Sequence, residues 1–193
     1  MPDIRALEAE AYHHAGYFSA TQARSHSVSP QLLDHYVRSG RFERVRRGLF
    51  RISGFPTGEH DDIRERWLAV GPDKALVSHE SALALHELSD HIPGAVHVLV
   101  PRRHRGLRVP PGVVVHTYSG DEKVPSVWRD GIAVTAPART IVDAAEQIQP
   151  EQLALAVSQA LSRGLLTRRQ LEAEAVGRHR GRIIAQALAD AER

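Results

Sequence analysis

Ser29, Gln31, Asp34, His35 and Arg38 are interleaved with the apolar residues Leu32, Leu33, Tyr36 and Val37. On a helix that spacing sends the two sets to opposite faces. The polar set carries the chemistry that reads base edges. A glutamine pairs bidentately with adenine, an arginine reaches guanine or a phosphate, and an aspartate accepts from cytosine. Immediately beyond, Arg38 to Arg51 holds six arginines against a single acid, Glu43. Arg46 and Arg47 adjoin Gly48 at a chain reversal, and the planar guanidinium fork suits phosphate oxygens and narrow grooves. Arg41, Arg44 and Arg51 rank behind them because they alternate less cleanly. Tyr36 is expected in the core.

Other chemistry-bearing residues give weaker patterns. Arg102, Arg103 and Arg105, with Arg108 and His104, make a basic loop that is a candidate second contact to DNA backbone or to an acidic partner. Of twelve histidines, His79, His86 and His91 are spaced by seven and five, and His13 and His14 are adjacent. None of these spacings is the i, i+4 arrangement that sets two ligands side by side on a helix, and without cysteine no thiolate site exists. No metal site and no cofactor is expected, and the histidines read as surface or capped. Pro72-Asp73 with Asp121-Glu122-Lys123 can be forced into a nuclease-like pattern of two carboxylates and a lysine. That triplet follows Gly120 in a polar turn, a poor place for rigid ligands. Phosphate-binding glycine loops, a nucleophile elbow and H-E-x-x-H are absent from the sequence. A non-enzymatic chain is expected.

These side chains need elements to position them. Asp3 can cap a helix with Ile4, Leu7, Ala11 and Ala15 on one face, closed by Gly16. Tyr17-Phe18 is extended. Ser19 with Gln22 is a capping-box pair opening a short second helix to about Ser25. After His26-Ser27-Val28, Ser29-Pro30 restarts a helix with Ser as N-cap and Pro at the first position, ending at Ser39-Gly40. Phe42–Val45 and Leu49–Ile52 are strand-like runs, and Gly48 supplies the positive φ of a tight hairpin. Helix, helix, turn, helix and hairpin in that order predict a winged helix-turn-helix over residues 1–53. Residues 54–58, with two glycines and a proline, read as a linker. From 59 to 193 the expectation is a small α+β domain closed by C-terminal helices. Helices are expected at Asp61–Val70, Ser78–Leu88, Pro137–Gln147, Pro150–Arg163, Thr167–Ala175 and Arg180–Ala191. Strands are expected at Ala95–Val100, Val113–Tyr118 and Gly131–Val134.

Length and composition agree. The chain has 193 residues, 42% of them hydrophobic, and a formal net charge of +2. That suffices for one or two small domains with real cores. No run approaches a membrane span, the N-terminus lacks a signal-peptide pattern, and the cysteine count is zero. The expected location is the cytoplasm.

The stretch Ala15-Gly16-Tyr17-Phe18-Ser19-Ala20-Thr21-Gln22-Ala23 through Arg38-Ser39-Gly40-Arg41-Phe42-Glu43-Arg44-Val45-Arg46-Arg47-Gly48-Leu49-Phe50-Arg51 resembles the N-terminal domain of AbiEi-type antitoxins. Val77-Ser78-His79-Glu80-Ser81-Ala82-Leu83-Ala84-Leu85-His86 and Val134-Thr135-Ala136-Pro137-Ala138-Arg139-Thr140-Ile141-Val142-Asp143 are similar to that family's second domain. The resemblance implies a repressor that binds operator inverted repeats in double-stranded DNA through the winged helix. It further implies an antitoxin that autoregulates a toxin–antitoxin operon and counters a nucleotidyltransferase-like toxin from the neighbouring gene. The alternatives are a module that neutralises its toxin by direct binding, with DNA binding secondary, and a metal-dependent nuclease. Oligomeric state, including a dimer on DNA, is left open. Arg139 reads as a structural ion-pair residue, with Asp143 one turn on.

Overall fold

The computed structural model describes residues 1–89, 93–120 and 122–191. The chain forms two units, Met1–Pro72 with Arg108–Pro110, and Asp73–Leu107 with Pro111–Arg193.

In the first unit, α1 (Ile4–Tyr12) begins at Asp3, whose carboxylate accepts from the Ala6 amide. The sequence extends this helix to Ala15. It stops at Tyr12, because Ala15 and Gly16 adopt φ of 52° and 84° and turn the chain into β1 (Tyr17–Ser19). Gly16 is required twice over. Its backbone is left-handed, and a Cβ there would lie 2.6 Å from the Phe55 ring. Ser19 and Gln22 form the reciprocal cap that opens α2 (Ala20–Ser25). Glu10 on α1 then accepts from Gln22 Nε2 at 2.8 Å and pairs with His26 Nε2 at 2.7 Å. Burial alone would raise the Glu10 carboxyl, but these two partners hold it below the ordinary range.

The turn at Ser27 (φ 60°) leads into α3 (Pro30–Arg38), with Ser29 Oγ accepting from the Leu32 amide at 3.2 Å. β2 (Phe42–Arg46) and β3 (Leu49–Ile52) form the hairpin, and the sheet order is β1-β3-β2, all antiparallel. A bulge lies between Arg44 and Arg46. Leu7, Ala11, Phe18, Ala23, Val28, Leu33, Phe42 and Phe50 close one core under these elements, and Leu32, Tyr36 and Val37 are only partly buried against it. α4 (Asp61–Val70) buries Trp67 and ends at Gly71. Asp61 ties it to the sheet by accepting from Arg51 at 3.0 Å, and also takes Arg64 at 2.6 Å.

The second unit is built on a mixed five-stranded sheet of order β6-β5-β4-β8-β7. Its strands are β4 (Leu76–Val77), β5 (Val96–Pro101), β6 (Val113–Tyr118), β7 (Ser126–Arg129) and β8 (Ile132–Thr135). β4 and β7 were not expected from the sequence: one is two residues long, and the other is exposed throughout and lacks alternation. α5 (His79–Leu85) follows β4 directly. α6 (Pro137–Ala144), α7 (Pro150–Ser162), α8 (Arg168–Val176) and α9 (Gly181–Ala191) complete the unit. Leu83, Leu88, Ile141, Val157, Leu171, Ile184 and Leu188 share one helical core. The architecture is α+β with two sheets. Among the described residues no helix is long and apolar enough to cross a membrane.

Candidate nucleic-acid interface

α3 presents Ser29, Gln31, Asp34, His35 and Arg38 to solvent on the face opposite Leu33. The cap at Ser29 fixes where the helix begins and so where Gln31 points. Arg38 Nε donates to the Asp34 carbonyl at 3.3 Å, leaving the distal guanidinium nitrogens outward. The His35 ring packs edge-on against Tyr36, with centroids 5.6 Å apart. Tyr36 also meets Phe42 and is half-buried, a packing role.

The hairpin arginines differ from one another in ways their spacing does not reveal. Arg44 pairs with Asp34 at 2.5 Å and lies 4.9 Å from the Phe50 ring centroid, so β2 and α3 are bridged by charge. Arg41 donates to Glu8 of α1 at 2.8 Å and stacks over Tyr36. Arg46 donates through Nε to Glu65 of α4 at 2.7 Å, with Nη2 on the same oxygen. Arg51 is buried over Tyr17, which removes it from any outer surface. Arg47 stands exposed at the tip and has no ion-pair or hydrogen-bond partner among the described residues.

Two residues join this surface from outside the sequence-picked set. Arg24 on α2 lines a groove with Pro30, Asp34 and Arg44. Arg108 lines another with Arg46 and Arg47. Arg24 gave no signal because a lone arginine in a short helix is unremarkable, whereas Arg108 was visible only as one member of the basic loop. The rest of that loop is a 3-10 turn, Arg102–His104, in which Arg102 and Arg103 are exposed, as is Arg105 just after it.

In the second unit the Thr135–Asp143 segment is a structural latch. Thr140 Oγ1 donates to the Thr135 carbonyl at 2.8 Å, and His86 Nε2 donates to the same carbonyl at 2.8 Å. Buried Arg139 holds Asp143 at 2.6 Å as the i, i+4 spacing predicts, and also Glu122, which in turn pairs with Arg178. Burial would raise the Glu122 carboxyl, yet Arg139 and Arg178 bring it below its ordinary value. Glu122 is thus committed to two guanidinium groups. Asp121 and His91, also weighed for metal, lie outside the described residues.

Residues 5–53 match the model of a family described as transcriptional regulator, AbiEi antitoxin, and residues 73–190 match that of the AbiEi antitoxin C-terminal domain. The chain belongs to the AbiEi antitoxin family. In this AbiEi chain the α3 and hairpin surface falls in the regulator segment, and the Arg139 latch falls in the C-terminal one. The crystal structure of the Rv2827c protein from Mycobacterium tuberculosis is similar in fold, with a TM-score of 0.51 over 98% of this chain and 80% of that one at 12% identity. No curated protein matches this AbiEi chain in sequence.

Proposed function

We propose that this AbiEi-family chain is a transcriptional repressor whose first unit is a winged helix-turn-helix on double-stranded DNA, with residues 1–53 as the DNA-binding domain and 59–193 as the antitoxin-like domain. One observation carries the reading. An N-capped helix exposes Gln31, His35 and Arg38 beside a hairpin whose tip exposes Arg47. A recognition helix reads base edges from its first turns, while an adjacent wing takes backbone or minor groove. In this reading α2 and α3 are the helix-turn-helix and β2–β3 is the wing. Ser29 sets the helix start, and Gln31, His35 and Arg38 enter the groove. Asp34 and Arg44 brace the helix to the wing, and Arg41 and Arg46 are oriented by Glu8 and Glu65 so that only part of each guanidinium reaches phosphate. Arg102, Arg103 and Arg105 are a second backbone contact.

The antitoxin role follows from family membership and is proposed in the same terms: autorepression of a toxin–antitoxin operon at inverted repeats, and protection against a toxin encoded beside it, of nucleotidyltransferase type. The experiment is titration of the protein onto its upstream operator by fluorescence anisotropy at several salt concentrations. Specific binding whose affinity falls steeply with salt is expected. Equal affinity for operator and scrambled duplex, or no salt dependence, overturns the reading.

A further inference from the structure

Three histidines far apart in sequence converge on the sheet of the second unit. His79 starts α5, His97 lies on β5 and His116 on β6. β5 and β6 run parallel with His97 opposite Val114 and His116 opposite Leu99, which puts the two imidazoles on one face, diagonally adjacent. The Ser78 amide donates to the His97 carbonyl at 3.0 Å, and this link brings the start of α5 over that face. His97 Nδ1 and His116 Nε2 are 3.1 Å apart, and the His79 ring stacks on His116 at 3.6 Å between centroids. One ring nitrogen from each histidine lies within 4.8 Å of the other two.

We propose that His79, His97 and His116 form a binding site for a divalent transition-metal ion of the zinc class. Imidazole nitrogen is the ligand these ions prefer, at about 2.0–2.1 Å. Tetrahedral ligation at that length spaces ligand nitrogens by about 3.4 Å, which His97 and His116 already approach. His79 offers the third nitrogen within 4.8 Å of the other two. Three protein nitrogens leave one position for water, the pattern of an open site.

The surroundings are those of a ligand set. Ser78 Oγ is 2.9 Å from His79 Nδ1, which orients the ring and leaves Nε2 as the outward nitrogen. Ser81 Oγ accepts from the His97 amide at 2.9 Å and fixes the strand beneath that ring. His79 is held at φ 52°, a costly backbone for a residue with a Cβ, and strain of this kind persists where the surroundings enforce it. Burial disfavours the charged form of each ring, and metal binds the neutral one. Burial, with His116, His97 and Arg139 nearby, lowers His79 to about 2, and burial and His97 lower His116 to about 4. Burial also lowers His97, against the opposing field of Glu80. His97 and His116 are only half-buried, so an ion has a way in.

The test uses the full chain stripped with chelator, then titrated with Zn²⁺ by calorimetry and with Co²⁺ by visible absorption. One equivalent of Zn²⁺ is expected, with a Co²⁺ d–d spectrum of four- or five-coordinate nitrogen ligation. His116→Gln and His97→Ala should each weaken Zn²⁺ binding at least tenfold, whereas His13→Ala with His179→Ala, both exposed and elsewhere, should leave it unchanged. Zn²⁺ should raise the Tm of the wild-type protein and not that of His116→Gln, whose fold is checked by circular dichroism. The site is refuted by no binding to the folded wild type, by unchanged affinity in the folded His116→Gln protein, or by loss on removing His13 and His179. This outcome is independent of operator binding.

Discussion

Arg46 at the hairpin tip donates to Glu65 of α4 through both Nε and Nη2, while its neighbour Arg47 points into solvent. Adjacent residues of one type therefore differ in role, one joining the hairpin to a helix and the other presenting its whole guanidinium outward. For operator binding, Arg47→Ala should lower the slope of log K against log salt by about 0.9, the loss of one phosphate contact. Glu65→Gln should leave that slope within error or raise it, because Arg46 is released toward DNA. Anisotropy titrations across salt for the two variants decide the point, and an unchanged slope for Arg47→Ala sinks the wing assignment.

Gln31→Ala should relax sequence preference without a change in salt slope. A bidentate contact to a base is worth about 1–3 kcal/mol of discrimination. Competition between operator and single-base variants should show the preference collapsing at one base pair per half-site. Uniform weakening across all sequences would mean that Gln31 only touches backbone.

Gly16→Ala should destabilise the first unit more than Gly48→Ala. Both glycines have positive φ, but a Cβ at Gly16 meets the Phe55 ring at 2.6 Å whereas at Gly48 it meets nothing within 4 Å. The shared backbone term is about 1–2 kcal/mol. The ring overlap adds to it only at Gly16, so chemical denaturation should rank the two variants clearly. Equal losses would contradict the packing of Phe55.

Arg139→Met should cost about 3–5 kcal/mol of stability, as expected when one partner of a buried charge network is removed. Arg139 is 4% exposed, and Asp143 and Glu122 would lose their shared cation. Denaturant melts of Arg139→Met beside Arg139→Met/Asp143→Leu should show part of the loss recovered in the double variant.

His86 makes acid stability partly titratable. Burial is the main cause of its lowered pKa, opposed by the bond to Thr135 and aided by Arg129 and Arg163. A folded value below the unfolded one of about 6.5 means that the unfolded chain binds the proton first. Stability from this group is therefore complete above pH 6.5 and falls as pH drops below it. His86→Gln can keep the hydrogen bond to Thr135 without titrating. Its Tm should fall less steeply than the wild type's from pH 7 to 5, and parallel curves would exclude the effect.

Much of the first unit was legible because its signals are local. The Ser19–Gln22 box, the Ser29-Pro30 start and the Gly48 turn each act over three or four residues. The end of α1 has no local mark, since nothing in the sequence sets Ala15 apart from the helical alanines before it, yet it takes φ 52°. In the second unit the long apolar strands β5 and β6 were readable. β4 was not, since two residues give no period and its place is set by neighbours on both sides.

The candidate sites divide along the same line. Sequence alone determined which residues face out of α3, because helical period and N-cap are properties of the chain itself. Which arginines are paired was decided by tertiary structure, since Glu8 and Glu65 reach Arg41 and Arg46 only after α1 and α4 pack. The histidines mark the limit most clearly. Read as surface or capped groups, His79, His97 and His116 are instead gathered into a cluster, because eighteen- and nineteen-residue separations mean nothing until parallel register aligns β5 with β6 and Ser78 pairs with His97. Local hydrogen bonds are written in neighbouring residues, whereas a site assembled across strands exists only once the sheet has chosen its register.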